Sequence, residues 1–166
     1  MPSASKAKGS RGERLVADAL TNIFGLNFER VPNSGAFVGG KNAGRLDRLT
    51  KSQQLLTEGD LIVPEELYNM KIECKTYKKF SWHLVYSECS QLEDWIEQAR
   101  DTKKMWFLTV KINYCDTIVV FDADLLDRER FLLGNHTRYK HYIITDFVTF
   151  FKKNKVKLLH LCEKWL

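Results

Sequence analysis

No apolar run in the 166-residue chain approaches the roughly 20 residues needed to cross a bilayer. The first ten residues, MPSASKAKGS, carry no apolar stretch of the kind an export signal needs. No membrane-spanning helix and no membrane partner are expected, and a cytoplasmic location is the expectation. Cysteine is scarce and scattered: Cys74, Cys89, Cys115 and Cys162 form no CxxC pair, and none has a histidine at zinc-ligand spacing. Reduced, structural thiols follow. The four histidines (His83, His136, His141, His160) have no spacing that suggests a triad or a zinc site. Repeats and low-complexity tracts are absent too. At 44% hydrophobic and 28% charged residues, wholesale disorder, collagen and coiled coil are ruled out.

What the chain does have is an uneven distribution of charge. Residues 1–57 carry nine Lys/Arg against four Asp/Glu, residues 58–127 eight against fourteen, and residues 128–166 nine against three. The overall +5 is thus two basic flanks around an acidic centre. A protein that merely coats nucleic acid has little use for an acidic centre, whereas one that holds metal ions beside a phosphate backbone does.

The length fits one domain. Residues 1–9 read as a flexible basic arm. Ser10 opens a helix whose apolar face is Leu15, Val16, Ala19, Leu20 and Ile23, and Gly25 stops it. A short extended stretch ends at Pro32-Asn33-Ser34-Gly35, and residues 36–57 form a long polar, basic loop. Strands are expected from Asp60 to Val63 and from Met70 to Tyr77, with a break at Pro64-Glu65-Glu66. An amphipathic helix spans 91–101, with Leu92, Trp95, Ile96 and Ala99 inward. Strands at 105–110 and 117–121 are joined through Asn113-Tyr114. Phe147, Phe150 and Phe151 then recur at helical spacing after Thr145-Asp146. Helices alternating with strands make this an α/β fold.

Within that order, Asp60 and Glu73-Cys74-Lys75 stand out. Alternation along a strand puts Glu73 and Lys75 on one face and Cys74 on the other. A short turn brings Asp60 beside Glu73. Two carboxylates about 4 Å apart repel by roughly 4 kcal/mol at an effective dielectric of 20, so the pair calls for a cation, a shared proton or a change of geometry. Oxygen ligands with open positions suit magnesium or manganese rather than zinc. Lys75 then stands where it can position or deprotonate a water acidified by the metal.

Five short stretches, in order, resemble the archaeal-type Holliday junction resolvases, a branch of the PD-(D/E)XK nuclease superfamily. They are Lys8-Gly9-Ser10-Arg11-Gly12-Glu13-Arg14, Arg30-Val31-Pro32-Asn33-Ser34-Gly35, Gly59-Asp60-Leu61-Ile62, Ile72-Glu73-Cys74-Lys75, and Gln91 through Arg100. The resemblance spans about residues 8–111. It implies a restriction-endonuclease-like core, a central mixed β-sheet flanked by helices, in a Mg2+-dependent homodimeric endonuclease (Mn2+ substituting) acting on four-way branched DNA. On that resemblance Glu13, Asp60 and Glu73 hold the metal and Lys75 is the core lysine. Ser34 belongs to the loop that approaches the site. Lys8, Arg11, Arg14 and Arg30 meet phosphates, and Gln91 lies near the centre. Two departures stand out: Gly59 occupies the proline position of the superfamily motif, and the segment between Ser34 and Asp60 is longer.

Several residues keep a second reading. Ser10-Arg11-Gly12-Glu13 is also a capping box. Ser34 suits a tight reversal, and Gln91 can serve a helix terminus. At the level of activity, the alternatives are a restriction-like or repair endonuclease cutting flaps, mismatches or linear duplex, and a non-catalytic DNA-binding module that keeps the fold.

Overall fold

The computed structural model describes residues 4–32 and 59–165, with side chains from Gly9 onward. Ser34, the side chain of Lys8 and the expected loop 36–57 lie outside the described residues. The first helix, α1, runs Ala4–Phe24. It starts upstream of the expected cap because Ala4, Lys6, Ala7 and Lys8 are strong helix formers. Residues 4–9 are thus helical rather than arm, and Ser10 sits inside the helix, where no capping box with Glu13 can form. The buried face is Val16, Ala17, Leu20 and Phe24, while Leu15 is exposed. Gly25 ends the helix as expected: at φ +67° its N–H donates to the carbonyl of Thr21.

Strands β1 (Glu29–Arg30) and β2 (Leu61–Ile62) pair antiparallel. The main sheet holds five strands: β3 (Met70–Tyr77), β4 (Met105–Ile112), β5 (Ile118–Asp122), β6 (His136–Tyr139) and β7 (Tyr142–Asp146). Their spatial order is β3-β4-β5-β7-β6. β3 and β4 are parallel and every other pair is antiparallel. The parallel pair is joined across the sheet by helix α2 (Ser90–Ala99), preceded by a stretch of 3-10 helix at Trp82–Tyr86. A short helix, α3 (Leu125–Arg128), follows β5, and α4 (Phe147–Lys164) closes the chain. Asp146 caps α4, its carboxylate accepting from the Thr149 amide at 2.6 Å.

Alternation divides the core between the two faces. Met105, Phe107, Val119, Phe121 and Ile143 pack with α1 and α4, including Phe147, Phe150 and Phe151. Trp106, Leu108, Val110, Val120 and Ile144 pack with Leu92, Trp95, Ile96 and Ala99 of α2. This is the expected α/β layering, a mixed sheet between helices, and among the described residues it leaves β3 as an edge strand with one row of backbone groups unpaired by the sheet.

Candidate active site

Asp60 docks on that open edge. Its amide donates to the carbonyl of Ile72 at 2.9 Å, and its carboxylate Oδ2 accepts from the amide of Cys74 at 2.8 Å. The aspartate thus takes both backbone groups that β3 presents between these two residues. Its own carbonyl accepts from Val31 at 2.9 Å, joining the β1 side to the same point. Gly59 makes this approach feasible. Its φ is +86°, and a Cβ there would lie 2.7 Å from the Ile72 carbonyl oxygen. Proline, fixed near φ −65°, cannot occupy that backbone. The departure from the superfamily motif is therefore structural rather than neutral.

On β3 itself, Lys71, Glu73, Lys75 and Tyr77 point toward α2. Lys75 Nζ donates to Glu73 Oε1 at 2.9 Å and to Gln98 Oε1 at 2.6 Å. Lys71 donates to the carbonyls of Gln98 and Arg100 at the end of α2. The Glu73 and Lys75 side chains are only 14% and 18% exposed. Burial raises the Glu73 carboxyl above its usual range and the negative charge of Asp60 raises it further, while Lys75 and Lys71 oppose.

Glu13 enters from α1, on the other face. Its carboxylate accepts from Nε of Arg30, so this arginine, expected to meet phosphate, is held by an acid. Close approach of α1 to the sheet depends on Gly12, whose added Cβ would fall 1.9 Å from Thr76 Oγ1. The donor atoms of Glu13, Asp60 and Glu73 do not all lie within 4.8 Å of one another, but the charge of each acts on a shared neighbour. The Cys74 thiol is pushed well above its usual range, first by burial and then by Asp60, with Glu73 and Glu13 adding to it against a hydrogen bond from Thr109.

Arg11 and Arg14 are exposed on α1. Gln91 stands in the first turn of α2, about 10 Å of helix away from Gln98. The contact to Lys75 comes from Gln98, which sequence reasoning missed. The signal was present: seven residues are two helical turns, so both glutamines lie on one stripe. His141 was missed as well. Its Nε2 lies 3.2 Å from Asp122 Oδ1 and 2.8 Å from Asp124 Oδ1. Among the described residues this is the group of three potential ligands whose donor atoms lie within 4.8 Å of one another. It sits at the start of β4, the opposite end of the sheet from Tyr77, and joins nothing at Asp60.

The donors at the β3 edge fit a hard divalent cation. They are carboxylate oxygens, one of them on a residue whose ionisation is opposed by burial and by its acidic neighbour. Added positive charge would relieve both. Asp60 Oδ2 is already bound to the Cys74 amide, which leaves Oδ1 as its donor.

The chain matches the family described as phage putative PDDEXK endonuclease over residues 4–160. It is also similar to Protein D14 of Escherichia phage T5, at 35% identity over 107 residues, which is 61% of this chain and 58% of that protein. The matched region thus covers somewhat over half of that relative's length. No solved structure matches the chain. With nearly its whole length matched, the chain belongs to the phage putative PDDEXK endonuclease family, within the PD-(D/E)XK superfamily.

Proposed function

We propose that the chain is a metal-dependent DNA endonuclease that cuts branched DNA, four-way junctions above all, as a homodimer. The observation that carries the hydrolytic part is the convergence of Asp60, Glu73 and Lys75 at one open sheet edge. Asp60, Glu73 and Glu13 are the candidate ligands. When bound, a divalent ion supplies Lewis-acid charge to a phosphodiester and lowers the pKa of water.

The remaining roles fall to the side chains. Asp60 is fixed by two hydrogen bonds to the backbone of β3 and one from Val31, so its free oxygen has a defined direction. Lys75 is held between Glu73 and Gln98, with its ammonium aimed along the face of β3 where a phosphate would lie. Arg11 and Arg14 on the exposed side of α1 add charge for the backbone, which makes binding depend steeply on salt. The dimer follows from the substrate: symmetric nicks in two strands require two sites related by a two-fold axis.

The test is cleavage of a labelled four-way junction, a flap and a linear duplex, with Mg2+ or with EDTA. Paired nicks in the junction with Mg2+, and about tenfold slower cutting of the other two, are expected. Equal cutting of all three removes the junction preference. No cutting of any substrate removes the nuclease reading.

A further inference from the structure

The residues that follow Lys75 form a surface unlike the rest of the acidic central third. From Cys74 to Ser87 there is no Asp or Glu, while Lys75, Lys78, Lys79 and His83 are present. Interleaved with them are rings that the core only half covers. Tyr77 and Trp82 are each 38% exposed and Tyr86 is 85% exposed. Two of these rings are backed by a ladder of contacts. Tyr77 packs on Trp95 with centroids 4.5 Å apart, Trp95 on Phe80 at 5.7 Å, and Phe80 on Trp82 at 4.9 Å. Trp95 is buried, so the outer rings rest on a rigid base.

A further ring arrives from the next strand. β3 and β4 are parallel and end together, and the amide of Asn113 donates to the carbonyl of Tyr77. This fixes the β4–β5 turn beside Tyr77. At its tip Tyr114 is fully exposed at φ +61°, a left-handed conformation that favours glycine or asparagine. A bulky ring kept there, out of contact with the core, costs local strain without adding to packing.

We infer that this end of the sheet is a stacking platform for unpaired nucleotides of a DNA strand. The inference rests on the nuclease reading above and deepens it: bases leave the duplex beside the cut when the junction is bound. Aromatic faces accept any base, and the lysines between them match the phosphates. The acid-free, basic character of the segment favours nucleic acid over a protein partner. Position completes the argument. Tyr77 is two residues beyond Lys75 on the same face of β3, a rise of about 7 Å, so a base on Tyr77 belongs to a nucleotide next to the phosphate that Lys75 meets.

The experiment is anisotropy of a labelled single strand and of a hairpin duplex with equal phosphate number, bound to the full chain in EDTA. Single-strand affinity should fall about tenfold for Tyr77→Ala and for Trp82→Ala and be largely kept in Trp82→Phe, with hairpin affinity changed by no more than about twofold. Tyr114→Asn removes a ring while relieving the backbone, so it folds and should also weaken the single strand. Equal weakening of both probes, or no weakening of either, overturns the platform; the second result leaves the rings to a protein partner. Because binding is read without cleavage, the two readings fail separately. Ring-dependent binding with no Mg2+-dependent cutting sinks the nuclease, and cutting by a chain indifferent to its rings sinks the platform.

Discussion

The amide of Cys74 and the carboxylate of Asp60 form a 2.8 Å hydrogen bond across the open edge of β3. Asp60 thereby serves the fold as well as the proposed chemistry, and the two duties can be separated. In Asp60→Asn the side-chain carbonyl still accepts from Cys74 while the charge is gone. Stability should stay close to wild type and Mg2+-dependent cleavage should fall by about 100-fold or more. Asp60→Ala leaves the amide without its partner and should also cost about 1–3 kcal/mol in urea unfolding. Equal stability of the two variants would mean that the hydrogen bond contributes nothing.

Glu73 gives the site a pH signature. Its carboxyl is raised in the folded chain, first by burial and then by Asp60. Between the ordinary value near 4.5 and the raised one, the folded chain therefore binds more protons than the unfolded chain. Stability of the metal-free protein should fall as pH rises through that window and then level off. Glu73→Gln should flatten this slope and raise the unfolding midpoint in EDTA above the window, while abolishing cleavage. Saturating Mg2+ at about 100 times its dissociation constant should stabilise wild type by about 2.7 kcal/mol and the variant much less. A slope of the opposite sign in thermal unfolding from pH 4 to 8 would refute the assignment.

Much of the candidate site's local geometry was legible because strand periodicity is short-range. Glu73 and Lys75 share a face by alternation, and β3 was correctly bounded from Met70 to Tyr77. What escaped depends on contacts distant in sequence. The β6–β7 hairpin was unread because His136-Thr137-Arg138-Tyr139, an edge strand, has little apolar alternation. The Arg30–Glu13 ion pair escaped because the two lie 17 positions apart, with Glu13 on a helix. Gln98 lies 23 positions from Lys75, and only the packing of α2 on β3 brings the two together. The capping box was a true local pattern, overridden by helix formers upstream of it.

Gly59 occupies the proline position of the superfamily motif, and its backbone geometry makes glycine a requirement there. At φ +86°, with the Ile72 carbonyl oxygen 2.7 Å from where a Cβ would stand, alanine must both strain the backbone and push β3 away. Gly59→Ala should lose about 1–3 kcal/mol of stability. Cleavage measured well below the unfolding transition should drop too, because Asp60 moves with its neighbour. Restoring the superfamily residue, Gly59→Pro, should be worse still, and a fully active proline variant would disprove the account.

Gly12 poses a related test inside a helix. Alanine there gains helix propensity worth about 1 kcal/mol. Its Cβ, however, would fall 1.9 Å from Thr76 Oγ1 and 3.1 Å from Thr76 Cβ. The clash outweighs the propensity, so Gly12→Ala should destabilise. Trimming the partner should return part of the loss: in a double-mutant cycle, Gly12→Ala with Thr76→Ala should show a coupling of about 0.5–3 kcal/mol. Additive effects would place α1 farther from β3 than described.

Gln98 supports Lys75 from across the helix–sheet interface. Its Oε1 accepts from Nζ at 2.6 Å, and with Glu73 it fixes where the ammonium stands. Gln98→Ala leaves Lys75 charged and still bonded to Glu73 but free to swing. Loss of orientation rather than of charge should lower kcat by about tenfold with KM nearly unchanged, the pattern of an interaction stronger in the transition state. Gln98→Glu keeps an acceptor at the same place and should recover much of the rate, though it adds a third negative charge near Glu73. Gln91→Ala, two turns along the same stripe but without the lysine, should leave kcat close to wild type. If Gln91→Ala impairs cleavage and Gln98→Ala does not, Lys75 takes its position from a partner other than α2.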